Sequence, residues 1–386
     1  MSPTPPVNNS HKKLGIIIGG SGLIGGALLH YFKSKTNDID ILAPNSKRLS
    51  LREPEDIKRY FNKFSPDFII NAAIASIDSD PQLAYEVNYM GSVHLARMAA
   101  ALNIPYIHFS TAAVMPTGEN LTEEDRLPLN ADLPNYAKSK LMADLTLNEM
   151  NKNQGLDYTN IRLAVVYGEH DHKIQGFHRL FYSIANESML FMLTKPGVMH
   201  SYSNCNKLPS FVHHALENRE EFSGQTYNFV DRSPVKLAQL ILTIKSYLEL
   251  PVPKEIYPPL PLVKLGKTWL GWIIWGLNRI GIESRMPAEL MFLENFYKTQ
   301  TLSAKKLEKS SFRDPEPETT IFTQLPCLIQ YYLTRWEQLN LIMPYNKEFF
   351  DPKKKGDLFL NSPRSLLESV SKENIDFSQD SGLSDK

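Results

Sequence analysis

The chain has 386 residues, little cysteine and no excess of charge of either sign. Its two cysteines, Cys205 and Cys327, form neither a CxxC pair nor a cluster of metal ligands, so the sequence predicts no metal site and a reducing compartment. The 42 basic and 42 acidic residues cancel, which removes the electrostatic signature of a nucleic-acid-binding protein. We therefore expect a cytoplasmic protein without a nucleic-acid partner.

Long apolar segments are also missing. Residues 1–12 are polar and proline-bearing, without the apolar centre of a secretory signal, and we expect a disordered tail there. The most apolar stretch, 268–277, holds three tryptophans in an uncharged run too short to cross a bilayer. Flanking cations at Lys264, Lys267 and Arg279 leave peripheral attachment to a membrane open. We favour instead a segment that packs over a substrate pocket or forms a homodimer contact.

A glycine-rich turn stands between an apolar strand and a helix near the start of the chain. Residues 14–18 are apolar and mostly β-branched, and Gly19, Gly22 and Gly25 follow at intervals of three. Glycines permit a tight turn and close backbone approach, and the amides at a helix N-terminus receive a pyrophosphate. The order of strand, turn and helix therefore predicts a dinucleotide site, the alternative being a plain glycine-rich connection in an α/β protein.

Tyr136 and Lys140 form a Tyr-x-x-x-Lys pattern well downstream of that turn. Residues four apart share one face of a helix, so phenol and ammonium would point into the same space. Lowering the pKa of a tyrosine from about 10 to about 7 requires about 4 kcal/mol of phenolate stabilisation, more than an exposed ion pair supplies. We therefore expect Lys140 to act in a partly desolvated site, helped by a second cation such as a nicotinamide, and Tyr136 to be an acid/base group.

Strands and helices alternate over the first 170 residues. Strands are predicted at 14–18, 40–43, 68–73, 104–111 and 159–168, with a long helix at 81–102. This alternation predicts an α/β fold, a doubly wound parallel sheet of the Rossmann type. Ligands then bind beyond the carboxyl ends of strands, where Gly19, Ala73, Thr111 and Val165 lie, so Val165 is counted among the cofactor contacts.

The pattern loosens after the last of these strands. We predict a dinucleotide-binding domain at 13–170 and a smaller, mostly helical substrate-covering region at 171–345. Within the second region, 225–230 resembles one more strand that could return to the main sheet, and a helix is predicted from 234 to about 248. Residues 346–386 are charged and serine-rich, and we expect a second disordered tail there.

Together these motifs resemble the extended-type short-chain dehydrogenases/reductases of the NAD-dependent epimerase/dehydratase superfamily. The runs 66–73 and 80–88 are similar to those of dTDP-4-dehydrorhamnose reductases. The resemblance makes Thr111 the catalytic Ser/Thr, Tyr136 the acid/base and Lys140 a ribose-binding lysine. The cofactor contacts that it implies are Gly19, Gly22, Leu23, Ile24, Gly25, Asn71, Ala72, Ala73, Asn88, Tyr136 and Lys140.

Two departures bear on substrate and cofactor. Ala112 and Ala113 stand where sugar-nucleotide dehydratases usually carry an Asp-Glu pair, and since alanine cannot transfer a proton, dehydration is disfavoured. The dehydrorhamnose reductases also often carry Asp at the first of these positions. After the second strand no acidic residue is available for the ribose 2′-OH that NAD carries, whereas Lys47 or Arg48 could pair with a 2′-phosphate. We expect NADP in preference to NAD, with Arg48 as a contact.

The sequence thus predicts an NAD(P)-dependent oxidoreductase that moves a hydride to or from a secondary alcohol or ketone, most simply of a nucleotide-linked sugar. Three alternatives stay open. One is a 3-beta-hydroxysteroid-like dehydrogenase acting on an apolar substrate at a membrane, and another is a sugar epimerase. The third is a regulatory subunit that binds dinucleotide without turnover, against which the presence of Thr111, Tyr136 and Lys140 argues.

Overall fold

The structure, a computed structural model, describes residues 12–173, 175–186, 191–192, 194–256, 259–280, 296–339, 341, 359–365 and 367. The tails predicted at 1–12 and 346–386 lie almost entirely outside these residues. The predicted domain boundaries at 170 and 345 stay predictions.

The strands, numbered along the chain, are β1 (Lys13–Ile18), β2 (Ile39–Leu42), β3 (Phe68–Asn71), β4 (Tyr106–Thr111), β5 (Gly118–Leu121), β6 (Tyr158–Leu163), β7 (Val165–Tyr167), β8 (Phe191–Met192), β9 (Met199–His200), β10 (Tyr202–Asn204), β11 (Gln225–Phe229), β12 (Val235–Lys236), β13 (Lys254–Glu255) and β14 (Gln300–Leu302). The helices are α1 (Leu23–Lys35), α2 (Pro54–Phe64), α3 (Pro81–Leu83), α4 (Gly91–Leu102), α5 (Asn135–Gln154), α6 (Gly176–Ala185), α7 (Leu208–Glu217), α8 (Arg219–Phe222), α9 (Leu237–Tyr247) and α10 (Leu260–Arg279), followed by Lys305–Lys309 and Ile321–Gln338.

Six parallel strands form the main sheet in the order β11-β6-β4-β3-β1-β2, which confirms the predicted doubly wound fold. Successive side chains of β1 enter different cores, because side chains alternate across a strand. Ile17 packs in the cluster that includes α1 and α7, whereas Ile16 and Ile18 pack in the cluster that includes α2 and α4. Helices therefore cover both faces of the sheet, and this explains the continuous apolar run of the strand.

The order of the strands places a crevice at the end of β1. This strand pairs with β2 on one side and with β3 on the other, so the two chain connections that leave this part of the sheet run in opposite directions. Ligands of open α/β sheets bind at such a switch point, beyond the carboxyl ends of the strands. Gly19 directly follows β1 and Ala72 directly follows β3, so both stand at the rim of this crevice.

Two predicted elements are interrupted. The helix expected at 81–102 consists of α3, a π-helical stretch from Ala84 to Met90, and α4. The strand expected at 159–168 ends at Leu163, because the Ala164 amide donates to Ser203 Oγ at 3.0 Å. The chain resumes as β7, which pairs with β10 outside the main sheet.

A second apolar core lies under α6, α9 and the helix Ile321–Gln338. Its centre contains the fully buried Phe181, Tyr332 and Trp336. The strand predicted at 225–230 is confirmed as β11, parallel to β6 at the edge of the main sheet. A small sheet in the order β12-β9-β14-β5 was not predicted; short strands of two to four residues carry too little periodicity for that.

The tryptophan-rich stretch 268–277 lies inside α10. Its three tryptophans are exposed, Trp269 by 67%, Trp272 by 76% and Trp275 by 65%. The predicted packing of this segment over a substrate pocket is therefore wrong for these side chains. Within the described part of the chain, no helix has the length and apolar character needed to cross a membrane.

Candidate active site

The turn after β1 depends on glycine at two positions. Gly19 has a φ of +84°, and a Cβ there would stand 2.7 Å from the carbonyl of Ala72 and the amide of Ala73. A Cβ on Gly25 would stand 2.2 Å from the carbonyl oxygen of Gly19. Only glycine allows the turn to lie this close both to the end of β3 and to the first turn of α1. Gly22 is less constrained, with its amide bonded to the Gly19 carbonyl at 3.0 Å.

The N-terminus of α1 meets the requirements of an anion site. Gly22 caps the helix without a side-chain hydrogen bond, and the first turn, which includes Leu23 and Ile24, contains no acidic residue. The first amides of a helix have no partner within the helix and lie at the positive end of its dipole. Among the described residues no side chain caps these amides, so they suit the pyrophosphate of a dinucleotide.

Asn71 fixes the chain beside that turn. This side chain is buried, and its Nδ2 donates to Ser92 Oγ at 3.1 Å and to Tyr106 Oη at 3.0 Å. Its Oδ1 accepts from the amide of Ala73 at 3.2 Å. The buried Asn71 side chain therefore fixes the main chain of Ala72 and Ala73 next to Gly19.

Asn88 links the crevice to the helix that carries Tyr136. It lies, fully buried, in the π-helical stretch, and its Oδ1 accepts from the amide of Ala75 at 2.8 Å. Its Nδ2 donates to Ser139 Oγ at 3.3 Å, and this hydroxyl donates to the main-chain carbonyl of Tyr136 at 3.0 Å. π-Helical turns often occur at functional sites, because the extra residue re-aims a side chain. Asn88 is thus a positioning residue for α5.

Thr111, Tyr136 and Lys140 converge on the carboxyl end of β4. The side chain of Thr111 lies close enough to Tyr136 for its hydroxyl to lower the pKa of the phenol, and Thr111 Oγ1 accepts from the amide of Ala113 at 3.2 Å. Lys140 is almost fully buried, and its Nζ donates to the carbonyl of Phe109 at 2.9 Å. Tyr136 itself is only half-buried. The three predicted catalytic residues are therefore neighbours.

The expected acidity of Tyr136 is not found. Burial raises the pKa of this phenol, the Thr111 hydrogen bond lowers it in part, and the negative charge of Asp144 raises it further. Burial also lowers the pKa of Lys140 from its ordinary 10.5 to about 8, with Asp144 opposing this shift. Lys140 directs its ammonium to the Phe109 carbonyl, and among the causes of the phenol's shift there is no contribution from this ammonium.

Asp144 is a residue that the sequence analysis missed. It follows Lys140 by one helical turn on α5, and its Oδ2 accepts from Ser110 Oγ at 2.7 Å and from Arg162 Nη2 at 3.5 Å. Burial raises the pKa of this carboxyl, although Arg162 acts in the opposite direction. The four-residue spacing that pointed to Tyr136 and Lys140 applies equally to Lys140 and Asp144, so the signal was present in the sequence.

Gln300 is a second missed residue, and it connects β14 to the loop after Thr111. Its Nε2 lies 3.1 Å from the carbonyl oxygen of Ala112, 3.3 Å from that of Met115 and 3.0 Å from that of Pro116. A contact between residues so distant in sequence leaves no local pattern from which it could be predicted.

Arg48 lies in the loop after β2 and borders a cleft that is lined by none of the other predicted cofactor residues. A Cβ on Gly20 would meet Ala43 Cβ at 2.7 Å, so the loop after β2 begins against the glycine turn. Asn45 Oδ1 accepts from the amides of Lys47 and Arg48, which shapes this loop. Arg48 is exposed and borders a cleft of about 410 Å³ along α2, whose other lining residues are Asp56, Arg59, Tyr60, Lys63 and Phe64.

Val165 opens β7 and is half-buried. The strand leads to Gly168, where a Cβ would lie 2.1 Å from Cys205 Sγ and 3.7 Å from Leu23 Cδ1. The segment after Val165 therefore passes next to the first turn of α1. Among the described residues, no group of three or more His, Cys, Asp or Glu side chains is arranged to hold a metal ion.

Residues 16–200 match the family model "NAD dependent epimerase/dehydratase family". Among curated proteins, the chain is 21% identical over 262 residues to the GDP-L-fucose synthase of Dictyostelium discoideum, covering 62% of this chain and 80% of that protein. It is 23% identical over 310 residues to the N-acetyl-alpha-D-glucosaminyl-diphospho-ditrans,octacis-undecaprenol 4-epimerase of Escherichia coli O157:H7, covering 78% and 90%.

The chain also matches the Methionine adenosyltransferase 2 subunit beta of Xenopus laevis, at 27% identity over 165 residues. That match spans 40% of this chain and 47% of that protein. A solved dTDP-4-dehydrorhamnose reductase from Clostridium acetobutylicum has a TM-score of 0.58 at 15% identity, covering 85% of this chain and 100% of that one. At this identity the structural likeness establishes the fold alone.

Proposed function

We propose that this chain, whose residues 16–200 match the NAD dependent epimerase/dehydratase family, is an NAD(P)-dependent enzyme of the extended short-chain dehydrogenase/reductase type that reduces a ketone of a nucleotide-linked sugar. The observation that carries the proposal is the convergence of Thr111, Tyr136 and Lys140 at the end of β4. An acid/base phenol, a hydroxyl donor and a buried cation lie together there, on the sheet edge that also carries Gly19.

A bound dinucleotide would supply the hydride, and residues of this chain would donate a proton and a hydrogen bond to the carbonyl oxygen of the substrate. Tyr136 gives a proton to the carbonyl oxygen as that oxygen becomes an alcohol, a general-acid contribution of about 10²–10⁴-fold. Thr111 donates a hydrogen bond to the same oxygen and stabilises the charge that develops on it. Lys140 would hold the ribose of the dinucleotide.

The raised pKa of Tyr136 is consistent with a proton donor, the role that reduction requires. A proton donor must still carry its proton when the substrate arrives, and a phenol whose pKa lies above its ordinary value of about 10 is protonated at neutral pH. Oxidation of an alcohol would require a phenolate, which the negative Asp144 disfavours. The buried ammonium of Lys140 is directed to the Phe109 carbonyl, and its pKa of about 8 leaves it charged at neutral pH.

A sugar epimerase acting on a lipid-diphosphate-linked sugar is the second candidate. It is favoured by the match to the undecaprenol-linked 4-epimerase, of which the chain covers 90%, and by the exposed apolar surface of α10. An epimerase returns the hydride to the same substrate carbon, so it produces no net change in the cofactor.

One assay separates these candidates. The purified chain is incubated with NADPH or NADH and a panel of nucleotide-linked 4-keto sugars, and in parallel with NADP or NAD and lipid-diphosphate-linked sugars that carry a 4-hydroxyl group. The absorbance of the reduced nicotinamide is followed together with the sugar products. Loss of reduced cofactor in proportion to alcohol formed supports the reductase. Epimerised sugar without net loss of cofactor supports the epimerase. Cofactor binding with neither product would overturn both and leave the regulatory-subunit alternative, which the match to a subunit beta keeps open.

A further inference from the structure

We propose that α10 docks on an anionic lipid surface, with its axis in the plane of the membrane and its tryptophan face in the interfacial region. This proposal concerns a helix that contains none of the predicted catalytic residues and does not rest on the proposed reaction. Its occupant is a bilayer that carries acidic headgroups.

The helix presents an apolar strip to solvent. Leu262, Leu265, Trp269, Trp272 and Ile273 are all more than half exposed, and their spacing of three and four residues keeps them on one face. The opposite side is covered in part: Val263, Leu270, Ile274 and Leu277 are half-buried. A contiguous exposed apolar face on a helix of this length, about 30 Å, marks a surface for another molecule.

The tryptophan content of α10 favours a lipid bilayer as the molecule that covers this face. Three of the four tryptophans of the chain lie in α10, and only Trp336 is elsewhere, in the second core. Tryptophan concentrates at membrane–water boundaries, because its ring is apolar while its N–H needs a polar partner. An in-plane helix places these rings at the level of the headgroups.

The charge of the segment is complementary to acidic lipids. Lys264 and Arg279 are exposed near the two ends of α10, and the sequence contains no acidic residue between Glu255 and Glu283. The Arg279 guanidinium lies 5.4 Å from the centre of the Trp275 ring, so cation and aromatic group occupy the same part of the surface. Flanking cations with an apolar face between them are typical of interfacial helices.

The same charges argue against a second copy of this chain as the occupant. Two α10 helices packed antiparallel would bring Lys264 of one copy towards Arg279 of the other, and a parallel arrangement would pair each cation with itself. Since the segment carries no carboxylate to compensate, both arrangements are repulsive. A homodimer through this face therefore becomes an outcome of the test rather than the proposal.

The test measures binding of the full-length chain to vesicles of phosphatidylcholine alone and of phosphatidylcholine with phosphatidylglycerol. We expect cosedimentation with the anionic vesicles, a blue shift of tryptophan emission, and quenching by brominated lipids. Trp269→Ser with Trp272→Ser should lower the partition coefficient by about tenfold or more per tryptophan. Lys264→Glu with Arg279→Glu should lower the partition coefficient into anionic vesicles by about fivefold for each cation removed, and it should abolish the preference for anionic lipid.

Matched controls keep the outcome specific. Leu129→Ser with Leu242→Ser removes exposed apolar side chains elsewhere, and Lys33→Glu with Lys58→Glu makes the same change in net charge; both should bind as the unmodified chain does. The proposal is overturned if the unmodified chain fails to bind anionic vesicles, binds neutral ones equally well, or keeps its binding in the α10 variants. It is also overturned if the only effect of the tryptophan substitutions is the loss of a homodimer whose formation depends on protein concentration. Should that variant misfold by circular dichroism, the charge-reversal pair and lipid quenching of the unmodified chain decide.

Discussion

The Nζ of Lys140 donates a hydrogen bond of 2.9 Å to the main-chain carbonyl of Phe109, two residues before Thr111. This bond attaches α5 to the carboxyl end of β4, and it satisfies a buried ammonium with a neutral acceptor. The lysine is therefore oriented by main-chain contacts of the fold, near Thr111, whose hydroxyl lowers the pKa of Tyr136. A preorganised cation of this kind acts without reorganisation during the reaction.

Lys140 gives the first prediction, on pH and stability. Its folded pKa of about 8 lies below its ordinary 10.5, so between these values the unfolded chain holds a proton that the folded chain has lost. The contribution of Lys140 to the free energy of unfolding therefore rises with pH across that window. Below the window the buried amine is charged, and its burial lowers the free energy of unfolding by the full amount of about 3 kcal/mol. In denaturant titrations, the free energy of unfolding of the unmodified chain minus that of Lys140→Met should rise by about 2 kcal/mol from about pH 7.5 to about pH 9.5. A difference that stays flat would contradict the burial of the charged amine.

The glycine turn gives the second prediction. Gly19→Ala combines a left-handed φ with a collision against the Ala72 carbonyl, and it should weaken NAD(P) binding by about tenfold or more and lower the free energy of unfolding by about 2 kcal/mol or more. Gly155→Ala is the matched control, because Gly155 also has a positive φ of +65° but has nothing within 4 Å of a new Cβ. That control should lose only about 1 kcal/mol and bind cofactor normally. Calorimetric titration and thermal unfolding measure both, and equal cofactor loss in the two variants would refute the close-approach argument.

Asn88 gives the third. Asn88→Ala removes the partner of the Ala75 amide and of Ser139, so the free energy of unfolding should fall by about 1–3 kcal/mol. Turnover should fall as well, since Ser139 bonds to the carbonyl of Tyr136. The exposed Asn37→Ala serves as control and should stay within about 0.5 kcal/mol. An Asn88→Ala variant with an unchanged free energy of unfolding would show that the bonds of Asn88 to Ala75 and Ser139 do not stabilise the fold.

Arg48 gives the fourth, on cofactor choice. If this exposed guanidinium pairs with a 2′-phosphate, Arg48→Ala should raise the Kd for NADP by about tenfold and leave that for NAD nearly unchanged. Arg52→Ala is the control, because Arg52 is exposed nearby but already paired with Glu86. Equal losses for the two cofactors in Arg48→Ala would remove the argument for NADP.

Local spacing was sufficient to predict the sheet and the shared helix face of Tyr136 and Lys140, whereas Thr111 was assigned through the resemblance to a known family. The glycines and the Tyr-x-x-x-Lys pattern are short-range requirements of backbone geometry and helix periodicity, and such requirements are written in consecutive residues. Asp144 obeys the same periodicity and could have been found. The rise in the Tyr136 pKa comes from burial by residues of other elements, which spacing does not report.

Other features depend on tertiary contacts alone. Ser203 ends a strand by bonding to the Ala164 amide, and Gln300 reaches the loop after Thr111 from the far end of the chain. Neither residue stands in a pattern with its partner. The exposure of Trp269, Trp272 and Trp275 was mispredicted for a related reason: a short apolar run has the same composition whether it packs on a pocket or remains in solvent.

The most direct test of the account is the turnover of Tyr136→Phe on the sugar substrate that the absorbance assay identifies. The affinity of this variant for the cofactor is measured alongside. Phenylalanine keeps the ring and its half-buried position but cannot give a proton. We predict a kcat lower by about 10²–10⁴-fold, with a Kd for NAD(P) within about threefold of the unmodified chain. Turnover close to that of the unmodified chain, with cofactor bound, would contradict the role of Tyr136 as the proton donor.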